Sequence, residues 1–163
     1  LETCQAKQGS IYISTAGATT IAGQANVTAN SLTNMVAVET GGTFTLSTAP
    51  TANEFDMNTD GQLRYTGATT QNVFFTASVM LEIAASGVDL ELVMAVTKNG
   101  TIVTGAKTGG FCPRIHTNSV PMSISGFASM ATNDYLNLWV GNVDSTDNVV
   151  ARMAQLTAFS LVT

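Results

Sequence analysis

The stretch Gln71-Asn72-Val73-Phe74-Phe75-Thr76-Ala77-Ser78-Val79-Met80-Leu81-Glu82-Ile83-Ala84 decides the fold class. Val73, Phe75, Ala77, Val79, Leu81 and Ile83 share one parity; Phe74, Thr76, Ser78, Met80 and Glu82 share the other. A strand sends successive side chains to opposite faces, so a period of two presents one apolar face to a core. A helical period of 3.6 fits the run less well. Ser86-Gly87 closes it with turn residues.

Working outward toward the C-terminus, Asp89 to Lys98 repeats the pattern, with Leu90, Leu92, Met94 and Val96 alternating with Glu91, Val93, Ala95 and Thr97. Asn99-Gly100 follows, then Thr101-Ile102-Val103. Asn and Gly both tolerate the positive φ of a type I′ turn, so this spacing predicts a hairpin. Gly105 to Gly110 reads as a glycine-rich loop. Ser119 to Met130 reads as a strand whose Pro121 belongs on an edge or at a bulge. After the turn at Asn133-Asp134, Tyr135 to Asn142 sets Leu136, Leu138 and Val140 against Tyr135, Asn137 and Trp139. Asp144 to Asn148 is a polar loop, and Val149 to Val162 a long closing strand.

Toward the N-terminus the signal weakens. Ser10 to Ser14, Met35 to Val38, Thr43 to Leu46 and Gln62 to Tyr65 read as short strands between loops rich in Thr, Ala, Gly and Asn. Many short strands separated by turns indicate an all-β fold, most simply a jelly-roll β-sandwich. The 163 residues favour one domain, 1–163, with 1–8 as a candidate N-terminal arm. No signal-peptide pattern opens the chain, and Leu1 in place of Met is read as a trimmed start.

Composition narrows the function classes. Charged residues make up 10% of the chain, well below the usual quarter, while 45% are hydrophobic; disorder needs the opposite balance. The net charge of -5 repels phosphate backbones, which argues against nucleic acid as a partner. No basic cluster suits anionic lipid. The longest apolar runs, such as Leu92 to Val96, are far shorter than the roughly 20 residues of a membrane helix.

Catalytic constellations are poor. His116 is the one histidine, and no nucleophile elbow, phosphate loop or dinucleotide-binding glycine pattern accompanies it, so the chain is read as no enzyme and without a cofactor. Asp56-Met57-Asn58-Thr59-Asp60-Gly61 matches the first half of a calcium loop. Asp56, Asn58 and Asp60 are therefore weak calcium candidates; the closing Glu is replaced by Gly67, and a tight Asp-Gly turn is the alternative. Cys4 and Cys112 lack zinc spacing and read as unreactive thiols, with a bridge between them as the alternative. Asn26-Val27-Thr28 and Asn99-Gly100-Thr101 have the form of glycosylation acceptors, which chance supplies in a chain this rich in Asn and Thr.

Two strands carry large apolar residues on the parity that should face outward, Phe74 and Met80 on one and Tyr135 and Trp139 on the other, and the closing strand is apolar on both parities, with Leu156 and Ala158 on one and Phe159 and Leu161 on the other. A monomeric sandwich puts polar groups there. A loop or a neighbouring subunit must cover them, and Phe74, Tyr135, Trp139 and Phe159 are the candidate subunit-contact residues.

Three segments carry a family resemblance. Gln62-Leu63-Arg64-Tyr65-Thr66-Gly67 leads into the long strand Val73 to Ile83; Val96-Thr97-Lys98-Asn99-Gly100-Thr101 follows, then Ala131-Thr132-Asn133-Asp134-Tyr135-Leu136-Asn137-Leu138-Trp139-Val140. Together with Gly9-Ser10-Ile11-Tyr12-Ile13, they resemble the tumour-necrosis-factor-like jelly roll of bacteriophage and virus structural proteins. Asn133 stands where that group more usually has Gly.

The resemblance implies a homotrimer on a virion, serving as capsid decoration (cement) protein or head fibre, with a viral capsid or tail protein as partner. The arm and the loops from Ala16 to Asn34 are candidates for gripping the shell. The alternative is a fibre-tip module that binds a host receptor or glycan, or a secreted cytokine-like ligand, for which the exposed loop aromatic would be Phe111.

Overall fold

The computed structural model describes residues 6–13, 19–21, 35–38, 45–48, 54–58, 61–83, 89–113, 119–144 and 147–161. They form strands β1 (Ala6–Ile13), β2 (Thr19–Ile21), β3 (Val36–Ala37), β4 (Thr45–Thr48), β5 (Phe55–Met57) and β6 (Gln62–Tyr65). The longer ones follow: β7 (Gln71–Ile83), β8 (Leu90–Lys98), β9 (Thr101–Cys112), β10 (Val120–Met130), β11 (Tyr135–Asn142) and β12 (Val149–Leu161).

Two antiparallel sheets face each other. The first has the order β10-β7-β12-β1-β4, with β2 also paired to β12; the second has the order β5-β6-β11-β8-β9, with β3 also paired to β11. The inward parity of β7, Val73 to Ile83, meets Leu136, Leu138 and Val140 of β11 and Leu90, Leu92, Met94 and Val96 of β8 in one core. Fully burying each large side chain of this kind contributes about 1.5–3 kcal/mol.

The long strands follow the periodicity closely, and Pro121 does lie on an edge strand, β10. The expected loop Gly105 to Gly110 belongs instead to β9. Its register against β8 shifts between Ala95 and Thr97, where Gly105 (φ 77°) takes up the irregularity. Gly110 is small for a packing reason: a Cβ there would lie 2.9 Å from Cγ1 of Val120, where β9 passes β10. The candidate arm is also shorter than expected. Ala6, Lys7 and Gln8 pair with Leu161, Ser160 and Phe159 in β1, and residues 1–5 lie outside the described residues.

The three segments that carry the resemblance converge at one end of the second sheet. Asn99 (φ 49°) and Gly100 (φ 78°) turn the hairpin. The Asn99 amide donates to Asp134 Oδ1 (2.6 Å) and its Oδ1 accepts from the Tyr135 N–H (3.0 Å). Asp134 also accepts from Lys98 Nζ (3.3 Å) and the Ala131 N–H (2.8 Å). Burial would raise the Asp134 pKa, but these donors outweigh it and hold the carboxyl below its ordinary value. The Tyr65 N–H donates to the Asp134 carbonyl, and the Asn133 N–H to the Tyr65 carbonyl, each at 2.8 Å. Gly67 lies against the Tyr65 ring, where a Cβ would be 2.1 Å from the phenol oxygen. The motifs thus encode a knot of turns, and the Asn99 side chain is already committed to it.

Candidate assembly surface

The antiparallel register aligns the outward parity of β10, β7, β12 and β1 in cross-strand rows. Phe127, Phe74, Phe159 and Gln8 make the first row, and Ser125, Thr76, Thr157 and Ser10 the second. Ser123, Ser78, Gln155 and Tyr12 make the third, and Pro121, Met80 and Met153 the fourth. No side chain in these four rows carries a charge at neutral pH.

The aromatic row is a stack in itself. The Phe74 ring lies 5.2 Å from that of Phe127 and 6.3 Å from that of Phe159, both tilted, as aromatic quadrupoles prefer. Phe127 is 69% exposed and Met153 44%. Between the aromatic and methionine rows the face is concave. An open trough of about 770 Å³ runs past Tyr12, Ser78, Met80, Pro121, Ser123, Met153 and Gln155. A second hollow of about 550 Å³ adjoins it at Thr76, Ser125 and Thr157. Thr157 lines it, and its buried hydroxyl shares a hydrogen bond of 2.9 Å with that of Ser10.

Beyond the fourth row stands an ion pair. Arg152 donates from Nε and Nη2 to the two carboxylate oxygens of Glu82, both at 2.8 Å. The guanidinium holds the Glu82 carboxyl below its ordinary value against partial burial. Neither charge is left to repel a covering surface.

The four candidate contact residues do not form one surface. Phe74 and Phe159 meet on the first sheet, while Tyr135 and Trp139 lie on the outer face of the second. There Val93, Ala95 and Met35 are a buried cluster within the chain, with Ile102, Trp139 and Val143 packed on it. Asn137 is buried between them, and its Oδ1 accepts from Thr97 Oγ1 and from the Trp139 indole N–H, each at 2.8 Å. Trp139 is thus half-buried against its own chain.

Phe127 is the exposed aromatic of this face that the sequence reading missed. Its parity on β10 otherwise holds Pro121, Ser123 and Ser125, so alternation marks that face as polar. Only the register places Phe127 beside Phe74.

The calcium candidates have another use. Asp56 on β5 pairs with Arg64 on β6, whose Nε and Nη2 donate to its two oxygens at 2.8 and 2.6 Å. Arg64 Nη1 donates to Asn58 Oδ1 at 3.1 Å, so the positive charge facing these donors is already a guanidinium. Asp60, Cys4, His116 and Asn26 lie outside the described residues. Cys112 is buried, which pushes its thiol pKa up.

No protein-family model matches the chain, and no curated protein matches it by sequence. Solved structures do. Eiger TNF from S. frugiperda superposes with a TM-score of 0.57 at 10% identity, covering 97% of this chain and 94% of that one. PRD1 vertex protein P5 gives 0.53 at 12% identity over 96% and 97% of the two chains. Murine APRIL gives 0.53 at 9% identity over 95% and 100%. Two packed antiparallel sheets that superpose on such structures along nearly the whole chain make the fold a tumour-necrosis-factor-like jelly roll.

Proposed function

We propose that the chain is a non-enzymatic structural protein of a virus particle, a homotrimeric jelly roll that decorates and stabilises the capsid or forms a head fibre. The observation that carries this reading is the outer face of the first sheet, charge-free across four cross-strand rows that include Phe127–Phe74–Phe159. Exposed apolar area of this kind favours association at about 25 cal/mol per Å² removed from water. A ring of three copies satisfies it through heterologous contacts that close and leave no end for further growth. With only 10% of residues charged, adhesion rests on apolar and hydrogen-bonded surface. The likeness to a phage vertex protein along nearly the whole chain supports a place on a virion. Residues 1–5 are the proposed grip on the shell, ahead of β1.

Imaging of virus particles from the source of this chain tests the reading. Density of its size at the capsid surface or vertices is expected. Recovery of the chain only from the particle-free fraction would contradict it.

One observation favours a second reading, a fibre tip or ligand that binds a receptor or glycan. Phe111, at the end of β9, is 73% exposed, and Pro113 beside it is exposed too. Glycan-array binding that is lost in Phe111→Ser would move the assignment there.

A further inference from the structure

Resting on the self-association reading above, we infer that the assembly face is zoned. Its two apolar rows make dry contacts with a second copy, and the hydroxyl rows between them fix the register in which copies meet. The argument begins with distance. Phe74 and Met80 are six residues apart on one strand, about 20 Å at the rise of a β-strand. A copy that covers both rows therefore crosses Thr76 and Ser78 of β7 and Ser123 and Ser125 of β10. Among the described residues these four hydroxyls have no hydrogen-bond partner in the chain. Covering them with apolar surface would strand donors and acceptors away from water, which costs more than their pairing gains.

The hollows supply the remedy. The hollow of about 550 Å³ has room for several waters, each needing roughly 30 Å³, and the hydroxyls of Thr76, Ser78, Ser123, Ser125 and Thr157 that line it offer the two to four partners a buried water requires. Roofed by a second copy, it becomes a hydrated chamber sealed by phenylalanines at one end and methionines at the other. A slipped register would set hydroxyls against rings and is rejected, as a lone polar position rejects wrong registers in helical assemblies. The occupant is a second copy because a chain of net charge -5 presents here four rows without a charge, so copies can meet at this face without the repulsion between their acidic surfaces. Its one bordering ion pair is internally neutralised.

The test separates this zoning from the underlying association. Native mass spectrometry of the full chain should give a single stoichiometry. Phe74→Asp, with its circular dichroism unchanged, should give monomer; if it stays assembled, or if the wild type is itself monomeric, self-association through this face fails. The variant Thr76→Val/Ser78→Ala/Ser123→Ala keeps the apolar rows and removes hydroxyls. It should still assemble but lose the single stoichiometry, giving mixed or open-ended oligomers, while Thr76→Ser alone should retain it. A triple variant that keeps one mass identical to wild type would overturn the zoning and leave the association intact.

Discussion

The two outer faces of the sandwich carry similar alternation and opposite fates. On the second sheet the outward parity of β8, namely Val93, Ala95 and Thr97, is buried, and so is Asn137 of β11. On the first sheet the outward parity of β7 and β10 is open, with Thr76, Ser78, Ser123, Ser125 and Phe127 all exposed. An apolar residue on an outward parity therefore has two physical meanings: it is covered by its own chain or it waits for another. The side-chain hydrogen bonds separate the two cases. Asn137 Oδ1 is engaged by Thr97 and Trp139, whereas Thr76, Ser78, Ser123 and Ser125 of the first sheet's middle rows have no hydrogen-bond partner among the described residues.

Matched charges should break the comparison most sharply. Ala95→Asp buries a lone carboxylate and should cost about 3–5 kcal/mol, enough to abolish folding of a marginal domain. Ser78→Asp, on the open face, should change chain unfolding by less than about 0.5 kcal/mol. Urea titration of both variants under monomeric conditions measures the difference; equal losses would mean the faces are not distinct.

Next in size come the aromatics. Phe74→Asp should release monomers, whereas Trp139→Ala should leave the assembled mass unchanged and lower only the stability of each chain. Sedimentation velocity distinguishes them.

A smaller contrast lies in the hydrogen bonds. Asn137→Ala removes one acceptor serving a buried and a partly buried donor and should cost about 1–3 kcal/mol. It should also shift the Trp139 emission. Ser10→Ala removes one neutral pair with Thr157 and should cost about 0.5–1.5 kcal/mol. A Trp139 spectrum unaffected by Asn137→Ala would show that the indole is positioned by packing alone.

The smallest effects concern pH and salt. Glu82 is held below its ordinary value of 4.5 by Arg152, so the folded state binds its proton less readily than the unfolded chain does. Its stabilisation is fully present above that ordinary value and is lost as pH falls through the lower folded value. Glu82→Gln should lower stability slightly at neutral pH, where that contribution is fully present, and flatten the stability profile below about 4.5, where wild type loses it as well. Association through a charge-free face should meanwhile change little between low and physiological salt. A steep loss with salt would place charged contacts in the interface.

The sequence makes the sandwich legible where strands are long. Alternation from Val73 to Ile83 and the Asn99-Gly100 hairpin both stand in the fold, because period-two patterning and positive-φ turn residues act locally. Legibility fails where the deciding contact is distant in sequence. Gly109 and Gly110 look like loop residues, yet they are small because β8 and Val120 of β10 press against them. Asp56 and Asn58 look like a cation site, yet Arg64, brought opposite by the β5–β6 pairing, takes both. Lys7 and Glu54, whose ion pair ties β1 to the start of β5, are 47 residues apart and carry no motif. The candidate surface was half legible: Phe74 and Phe159 follow from parity, Phe127 only from the register of β10. Trp139 has the same alternation signature as Phe74 and differs from it only through neighbours drawn from distant parts of the chain.

The central claim is that sister copies cover the outer face of the first sheet. Sedimentation equilibrium of the intact chain at neutral pH tests it most directly. A single species of three times the 16.9 kDa chain mass, collapsing to one chain mass in Phe74→Asp, is the predicted result; a wild-type protein of one chain mass at every concentration would contradict the claim.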